Sequence, residues 1–431
     1  MNWSATNKFA RYYSAVRYIE SLGNISGGYQ KTNLKAHPRP QMFLERMREL
    51  LNLLGNPEKG FKYIHITGTA GKGSVSSAVH RELVKAGKRA GLFTSPFVVS
   101  TIEKIQTGKK YADPFVFAEL TEKIKPMIDK MIESGKYGAP SYFEMIFALA
   151  LLYFKMEKCE YVTLEVGLGG RYDATNVIRK PLVTAITNID LDHTNILGSK
   201  RTDIALDKAG IIKKGSKFFT TESDRNILKI FKDECEKAGT KYHFISTNGL
   251  DYNIRNSLLA THICYDLGII NSPANMVLIP DLPARFEIVE RKPFVIIDGA
   301  HNPGKMASVI FNLRRIKYRK LLLIIAISED KDWRKVVSII APRADIICAT
   351  RFSVPGRQPV SPDLLMREVR KCARDSARIY LCSDPVNAFK DARNKLYQDD
   401  ALLVTGSFYL AGDIRALYYS EDVILRNRMA R

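Results

Sequence analysis

The stretch YIHITGTAGKGSVSSAVHRELVKA, residues 63–86, decides the fold of the first half of the chain. An apolar run at residues 63–67 predicts a buried strand, and the pattern of residues 75–86 predicts a helix. Between them, residues 68–74 read Gly-Thr-Ala-Gly-Lys-Gly-Ser. Glycines let backbone N–H groups converge on phosphate oxygens, and the helix N-terminus adds partial positive charge. The stretch therefore predicts a phosphate-binding loop, in which Lys72 reaches the β- and γ-phosphates of a nucleotide.

This loop departs from the standard P-loop string. In that string a Ser or Thr follows the lysine directly, whereas here Gly73 stands between Lys72 and Ser74. A glycine-rich turn from strand to helix can also be purely structural. The lysine and its strand-to-helix context favour phosphate binding, and they make Gly71, Gly73 and Ser74 the other expected nucleotide-binding residues of the loop.

Further short apolar runs alternate with amphipathic stretches along the rest of the chain. They lie at residues 161–165, 182–188, 294–297, 321–327, 345–349 and 401–405. Near-continuous apolar strands that alternate with helices are typical of parallel sheets covered on both faces. Ligands of such folds bind at the carboxyl ends of the strands. The sequence therefore predicts an α/β protein whose functional residues follow its strands.

The length of 431 residues favours two domains. Three prolines, Pro280, Pro283 and Pro293, punctuate the stretch before the apolar run at 294–297 and suggest a boundary there. We predict an ATP-binding parallel-sheet domain of the P-loop NTPase type at residues 1–284. A smaller, Rossmann-like α/β domain is expected at residues 285–431.

The composition excludes several classes of protein. An apolar content of 45% and a charged content of 26% are those of a soluble globular protein. No apolar run reaches the roughly 18–20 residues that span a bilayer, and the N-terminus lacks the apolar core of a signal peptide. We therefore expect a cytoplasmic protein with no membrane partner. The six cysteines form no C-x-x-C pair, which argues against a zinc site and a disulfide framework.

The formal net charge of +21 has two interpretations. It suits a site for polyanions such as ATP, and it also suits a nucleic-acid surface. The basic residues are spread along the chain, and the one dense cluster, residues 314–320, is best explained as a solvated connection. We expect no nucleic-acid partner.

A series of motifs follows the loop. In chain order they are Thr94-Ser95-Pro96-Phe97, Glu103-Lys104-Ile105, Ser141-Tyr142-Phe143-Glu144, Glu165-Val-Gly-Leu-Gly-Gly-Arg-Tyr-Asp-Ala-Thr-Asn176, Asp192-His193, Leu197-Gly198, Asp207-Lys208-Ala-Gly-Ile-Ile-Lys213, Arg285-Phe-Glu287, Asp298-Gly-Ala-His-Asn-Pro303 and Thr405-Gly-Ser407. Together with the loop they resemble the folylpolyglutamate synthase and dihydrofolate synthase family, which is related to the Mur ligases. Phe97 and Ala284 depart from the family pattern. One such motif is weak, but the full series in family order is specific.

The resemblance implies ATP-dependent ligation of L-glutamate to a folate-type carboxylate through an acyl phosphate, with ATP and two Mg²⁺ ions. The acceptor, dihydropteroate or tetrahydrofolate, stays open, and a monomer is expected. A cell-wall Mur ligase is one alternative, but only 67 residues precede the loop, too few for the extra N-terminal domain of those enzymes. A P-loop nucleotide-binding protein without ligase activity is another, supported by the charge alone.

The catalytic residues expected on this basis are Lys72, Glu165, His193 and Lys208. Glu165 ends an apolar strand, and a carboxylate there suits Mg²⁺ that bridges nucleotide phosphates. His193 lies beside two aspartates, which makes it a fair ligand candidate. The resemblance implies that Ser95, Glu165 and His193 ligate Mg²⁺, and that Lys208 is carbamylated and ligates a second ion.

The resemblance also assigns the nucleotide and the acceptor. Around the nucleotide it places Asn256, Arg285, Asp298 and His301, although an N-capping role is an alternative for Asp298 or for Asn302. The acceptor would be lined by Ser141, Tyr142, Phe143, Glu144, Tyr172, Asp173 and Ala174. The N-terminal segment 27–39 is a further candidate for that contact.

Overall fold

The computed structural model describes residues 8–23, 41–247, 249–354 and 356–429. These residues form two compact units. The first consists of the described residues of Met1–Phe97, Thr101–Pro280 and Arg428–Ala430, and the second of those in Val98–Ser100 and Asp281–Asn427. The main chain passes from the first unit to the second between Pro280 and Asp281.

The first unit is built on an eight-stranded sheet. Its strands are β1 (Lys62–Thr67), β2 (Ala90–Phe93), β3 (Ile105–Thr107), β4 (Lys110–Tyr111), β5 (Tyr161–Glu165), β6 (Val183–Ile186), β7 (Lys217–Thr220) and β8 (Lys241–Phe244). Their order is β4-β3-β2-β5-β1-β6-β7-β8. Strands β2, β5, β1, β6, β7 and β8 pair parallel with their neighbours. At one edge of the sheet, β3 pairs antiparallel with β2, and β4 pairs antiparallel with β3. Since β1 lies between β5 and β6, the segments after these three strands meet at one edge of the sheet.

Helices cover both faces of this sheet. They are α1 (Ala10–Ser21), α2 (Met42–Leu53), α3 (Lys72–Lys85), α4 (Pro114–Ser134), α5 (Tyr142–Met156), α6 (Thr194–Leu197), α7 (Arg201–Ala209), α8 (Arg225–Ala238) and α9 (Tyr252–Asp266). Helix α3 packs with α9 over β1 in one apolar cluster that includes Val79, Leu259 and Ile64. Helix α5 is apolar around its whole circumference and is buried over most of its length, as expected of an interior helix.

The second unit has a six-stranded sheet covered by helices. Its strands are β9 (Glu287–Arg291), β10 (Phe294–Ile297), β11 (Leu321–Ile325), β12 (Ile346–Ala349), β13 (Arg378–Leu381) and β14 (Ala401–Thr405), in the order β13-β12-β11-β14-β10-β9. All neighbours pair parallel except the β9–β10 hairpin. Its helices are α10 (Pro303–Leu313), α11 (Trp333–Ile340), α12 (Pro362–Cys372), α13 (Pro385–Asn394), α14 (Phe408–Arg415) and α15 (Glu421–Asn427).

The predicted fold class is confirmed, and the predicted apolar runs became the central strands of the two sheets. The short interior strands β2 and β7 were not predicted, although they are buried over most of their four residues. The edge strands were also not predicted, because they are only partly buried and lack a continuous apolar run. Strand β8 is half-exposed along its length, and so is β13. The basic residues between α10 and β11 are exposed, as the interpretation of 314–320 as a solvated connection predicted. In the described part of the chain, no helix combines the length and the apolar character needed to cross a membrane.

Candidate active site

The glycine-rich loop joins β1 to α3 at the central position of the first sheet. Its Lys72 Nζ donates to the carbonyl of Gly68 over 2.9 Å, so the ammonium lies across the loop. At Gly71 the backbone φ is +82°, which favours glycine. A Cβ there would also overlap the side-chain amide of Asn256 on α9. The structure thus brings Asn256, a residue from a distant part of the chain, directly against the phosphate loop.

The segment after β6 fixes the shape of this loop. The Asn188 side-chain oxygen accepts a hydrogen bond from the N–H of Ala70 at 2.9 Å, and Thr187 Oγ1 donates to the Ala70 carbonyl at 2.5 Å. The backbone N–H of Asp190 donates to Thr69 Oγ1 at 2.9 Å. These contacts were not predicted from the sequence. Polar residues at the end of an apolar run were the available signal, but pairing them with the loop required knowing that β6 lies beside β1.

On the other side of β1, Glu165 ends β5 and Ser95 follows β2. The buried Glu165 carboxylate accepts a hydrogen bond from the backbone N–H of Ser95 at 3.1 Å. Strands β2 and β5 are parallel neighbours, so their carboxyl ends bring the two residues together. Two of the predicted metal ligands therefore meet at the edge that carries the phosphate loop.

Lys208 lies near the end of α7 and is 4% exposed. Burial lowers the pKa of its ammonium to about 7, and the positive charge of Lys72 acts in the same direction. The carboxylates of Asp207, Asp192 and Asp173 oppose this shift of the pKa. A lysine with such a pKa has a substantial neutral fraction at neutral pH, and the neutral amine is the form that reacts with CO₂.

The glycines after β5 allow α7 to approach this edge. Gly169 has φ +67°, and a Cβ there would overlap the Asp207 carboxylate. A Cβ on Gly170 would lie 2.8 Å from the Cα of Lys208. The N–H of Arg171 then donates to the Asp207 carbonyl at 2.9 Å. Because only residues without side chains fit here, the Gly-Gly pair allows the backbone of Asp207 and Lys208 to lie directly against the segment after β5.

His193 lies after β6, immediately before α6, with φ +50°. Its backbone N–H donates to the Asp192 carboxylate at 2.9 Å, and its ring Nε2 is 3.8 Å from the same carboxylate. The side chain is partly exposed. Since β5 and β6 flank β1, the segments that carry Glu165 and His193 follow strands on opposite sides of β1.

These residues fit a metal that shares its ligands with a substrate. Within residues 8–23, 41–247, 249–354 and 356–429, no three His, Cys, Asp or Glu side chains form a group able to hold a metal ion. The fit therefore depends on Ser95, on a modified Lys208 or on substrate oxygens in addition to Glu165 and His193. Mg²⁺ is usually bound in this way, by one or two carboxylates together with substrate phosphates and waters.

The motif at the start of α5 is largely occupied by structural contacts. Ser141 and Glu144 form a capping box, in which Ser141 Oγ and N–H both donate to the Glu144 carboxylate. Arg46 on α2 forms a buried bidentate pair with the same carboxylate. Glu144 is thus engaged by protein donors, whereas Tyr142 and Phe143 beside it are only half-buried.

A second acceptor-binding segment was predicted at Tyr172, Asp173 and Ala174. Asp173 is buried, and its carboxylate accepts hydrogen bonds from the backbone N–H groups of Leu168 at 3.0 Å and Thr175 at 2.9 Å. Burial raises the pKa of this carboxyl. Tyr172 is half-buried and Ala174 is buried. The predicted segment 27–39 lies outside the described residues.

In the second unit, Asp298 follows β10 and is buried. Its carboxylate accepts hydrogen bonds of 2.6 Å from the N–H groups of Phe286 and Ala300, and burial raises its pKa to about 6. Asn302, not Asp298, caps α10, because its Oδ1 accepts from the N–H of Lys305 at 2.9 Å. Asp298 instead ties the β10–α10 loop to the segment before β9.

Phe408, at the start of α14, organises the predicted residues of this unit and was missed. The Arg285 guanidinium lies 5.5 Å from its ring centre, and the His301 ring lies 5.9 Å from it. A Cβ on Gly299 would approach the Phe408 ring to 2.7 Å, so the glycine is needed for this packing. Phe408 directly follows the Thr405-Gly-Ser407 motif, which was the only available signal.

Two Mur ligase family models match the chain. The Mur ligase middle domain matches residues 66–273, and the Mur ligase glutamate ligase domain matches residues 284–408. The dihydrofolate synthase/folylpolyglutamate synthase of Bacillus subtilis (strain 168) is 30% identical over 412 residues, which cover 86% of this chain and 94% of the relative.

Solved structures show the same likeness. A folylpolyglutamate synthase from Thermotoga maritima has a TM-score of 0.75 and 27% identity, covering 95% of this chain and 97% of its own. A bifunctional folylpolyglutamate synthase/dihydrofolate synthase with Mn, AMPPNP and L-glutamate bound has a TM-score of 0.77 and 25% identity, covering 94% and 98%. The resemblance drawn from the motifs is confirmed. The chain belongs to the folylpolyglutamate synthase/dihydrofolate synthase family of the Mur ligases.

Proposed function

We propose that the protein is an ATP-dependent ligase that joins L-glutamate to a folate-type carboxylate. One observation carries this proposal. In a chain of this family, the phosphate loop with Lys72 lies at the same sheet edge as Glu165, and the charge of Lys72 acts on the buried Lys208. The relative with Mn, AMPPNP and L-glutamate bound supports ATP, a divalent ion and glutamate as the ligands.

The reaction transfers the γ-phosphoryl group of ATP to the acceptor carboxylate, giving an acyl phosphate and ADP. The glutamate amine then attacks the acyl carbon, and phosphate leaves. The chain needs to position reactants and stabilise negative charge, rather than supply a nucleophile. Lys72 and the N-terminus of α3 serve the phosphates. A bound Mg²⁺ ion would neutralise charge on the β- and γ-phosphates.

Three buried thiols are consistent with a mechanism that uses no cysteine nucleophile. Burial raises the pKa of Cys235, Cys264 and Cys348 to about 12. Thiolate, not thiol, is the nucleophile of cysteine enzymes. At neutral pH these side chains are therefore protonated and unreactive.

Carbamylation of Lys208 is part of the proposal. The neutral amine would add to CO₂ and release a proton, which converts a cation into a carboxylate-like ligand. Burial and the neighbouring charge of Lys72 favour the neutral amine. The product would place a second anionic group beside the phosphate loop, where it can help to hold a metal ion.

In the second unit, we propose that Arg285, Asp298 and His301 contribute to nucleotide binding. The support comes from contacts within this unit. Arg285 and His301 both pack on Phe408. Burial raises the pKa of Asp298, and the charge of Arg285 partly opposes that shift. We further propose that the protein acts as a monomer in the cytoplasm, without a nucleic-acid or membrane partner. The spread of its basic residues and its composition are the support for these last points.

The function is tested by measuring phosphate release with ATP and L-glutamate, with dihydropteroate and tetrahydrofolate compared as acceptors. We expect release that requires glutamate and at least one of the two acceptors. Lys72→Ala and Glu165→Ala should abolish it while the protein stays folded. Lys88→Ala, an exposed lysine just beyond α3, is the matched control and should be unaffected.

Other outcomes would contradict the assignment. Substantial ligase activity in Lys72→Ala would refute the proposed role of the phosphate loop. Activity with a uridine-nucleotide acceptor but with neither folate would point to a cell-wall ligase. ATP binding without glutamate-stimulated phosphate release would point to a nucleotide-binding protein that is not a ligase.

A further inference from the structure

A buried lysine outside the residues assigned so far lies near Glu165. Lys104 is the last residue of a short 3-10 helix, Thr101–Lys104, between β2 and β3. Its carbonyl accepts a hydrogen bond from the N–H of Thr94 at 3.0 Å, which fixes it to the end of β2. Because β2 is the neighbour of β5, Lys104 lies at the sheet edge where Glu165 ends β5.

The surroundings of the Lys104 ammonium are mostly aromatic. The residue is 5% exposed, and its Nζ lies 4.8 Å from the ring centre of Tyr142 and 5.5 Å from that of Phe97. Both aromatic residues are half-buried, so the lysine is covered but lies next to accessible surface. Burial lowers its pKa to about 8, against an opposing effect of the Glu165 charge.

This ammonium has no hydrogen-bond acceptor or ion-pair partner among the residues that the structure describes. Cation–π contacts contribute about 0.5–2 kcal/mol each, and they do not replace the acceptors that an ammonium loses on leaving water. The Glu165 carboxylate influences Lys104 through its charge but forms no salt bridge with it.

Among the described residues, Lys104 differs from the other buried cations in having no anionic partner and no proposed modification. In the described ranges, the buried lysines and arginines are Arg46, Lys104, Lys208 and Arg415. Each of the two arginines forms a salt bridge with a buried carboxylate. Lys208 already has a proposed modification that would remove its positive charge. Lys104 is the remaining buried cation, and it lacks an anion.

We propose that Lys104 binds the carboxylate of the folate-type acceptor, the group that ATP phosphorylates. This inference rests on the proposed function. The acceptor carboxylate supplies the oxygens that the ammonium lacks, and it reaches Lys104 at the edge that carries Glu165 and the phosphate loop. The rings of Tyr142 and Phe97 line the approach and suit the aromatic part of the acceptor. Lys104 then orients the attacking carboxylate oxygen.

The test compares two ligands and several variants in binding measurements without ATP. The ligands are whichever of tetrahydrofolate and dihydropteroate the wild-type protein uses, and an analogue of it without the reacting carboxylate. We expect Lys104→Met to bind the acceptor about 10- to 100-fold more weakly, the range for losing one charge-assisted hydrogen bond. The analogue should bind equally to both proteins, and ATP binding should not change. Lys104→Arg should recover most of the lost affinity.

Two controls separate binding from structure. Lys123→Met removes an exposed lysine from α4 and should leave all affinities unchanged. Because Lys104→Met replaces an unpaired buried cation with an apolar side chain, its melting temperature should be no lower than that of the wild type. Lys104→Gln is measured alongside, so that the comparison does not depend on one substitution.

Equal loss of affinity for the acceptor and for its analogue would overturn the inference, because the lysine would then act on the fold and not on the carboxylate. Unchanged acceptor binding in both Lys104→Met and Lys104→Gln would overturn it as well, while leaving the proposed function intact. A wild-type protein that binds neither folate would refute the proposed function and this inference together.

Discussion

Removing Arg46 offers a quantitative test of how the start of α5 is held. Arg46 Nε donates to both oxygens of the Glu144 carboxylate at 3.1 and 3.0 Å, and its Nη2 lies 2.9 Å from one of them. The two side chains are 5% and 4% exposed. Arg46→Met keeps much of the apolar volume but leaves a buried carboxylate without its cation.

The expected loss of stability follows from that burial. Breaking a buried ion pair by removing one partner costs about 3–5 kcal/mol, because the other charge is left uncompensated. Glu144 retains the N–H and O–H of Ser141 as donors at 2.7 and 2.8 Å. We therefore expect a loss at the lower end, about 3 kcal/mol. The double variant Arg46→Met/Glu144→Gln removes both charges and should recover most of this loss.

Urea denaturation followed by circular dichroism measures these differences as shifts of the transition midpoint. Arg48→Met changes an exposed arginine of the same helix and should shift the midpoint very little. A loss below about 1 kcal/mol for Arg46→Met, the value typical of an exposed pair, would refute the structural interpretation of Glu144. If Arg46→Met instead kept its stability and lost folate binding, Glu144 would be a substrate-binding residue, as the sequence analysis expected.

Two further predictions concern Lys208 and His65. Lys208→Ala should lose ligase activity, and acetate or formate should partly restore it by supplying the missing carboxylate. Lys72→Ala, which loses a cation instead, is the control that neither acid should rescue. A complete failure to rescue Lys208→Ala would argue against carbamylation. Burial lowers the pKa of His65 to about 3 from its ordinary value of 6.5. Between pH 6.5 and pH 3 the unfolded chain therefore binds a proton at His65 that the folded chain does not bind. The free energy of unfolding should fall as the pH is lowered below 6.5, by up to about 1.4 kcal/mol per pH unit from this residue. Urea titrations at pH 6.5 and 5.5 should show this slope reduced in His65→Gln, and an unchanged slope would contradict it.

The sequence by itself determined the fold class, the central strands and the position of the glycine-rich loop between β1 and α3. Strands buried on both faces of a parallel sheet must be continuously apolar, so β1, β5, β10 and β14 were visible as local runs. The loop was recognisable from its glycines. At Gly71 the backbone is left-handed and there is no room for a side chain, so the position requires glycine. Such requirements act on single residues or on neighbours, and the motif order then identified the family.

Only the tertiary structure decided which side chains meet. The strand order places β1 between β5 and β6, and this crossover sets Asn188 against the loop and Glu165 on its other side. The tertiary structure also pairs Glu144 with Arg46, surrounds the Lys104 ammonium with aromatic rings and places the Arg285 guanidinium on the Phe408 ring. Contacts of this kind join residues far apart in the chain, and no local pattern encodes them, because they depend on how the sheet is wound.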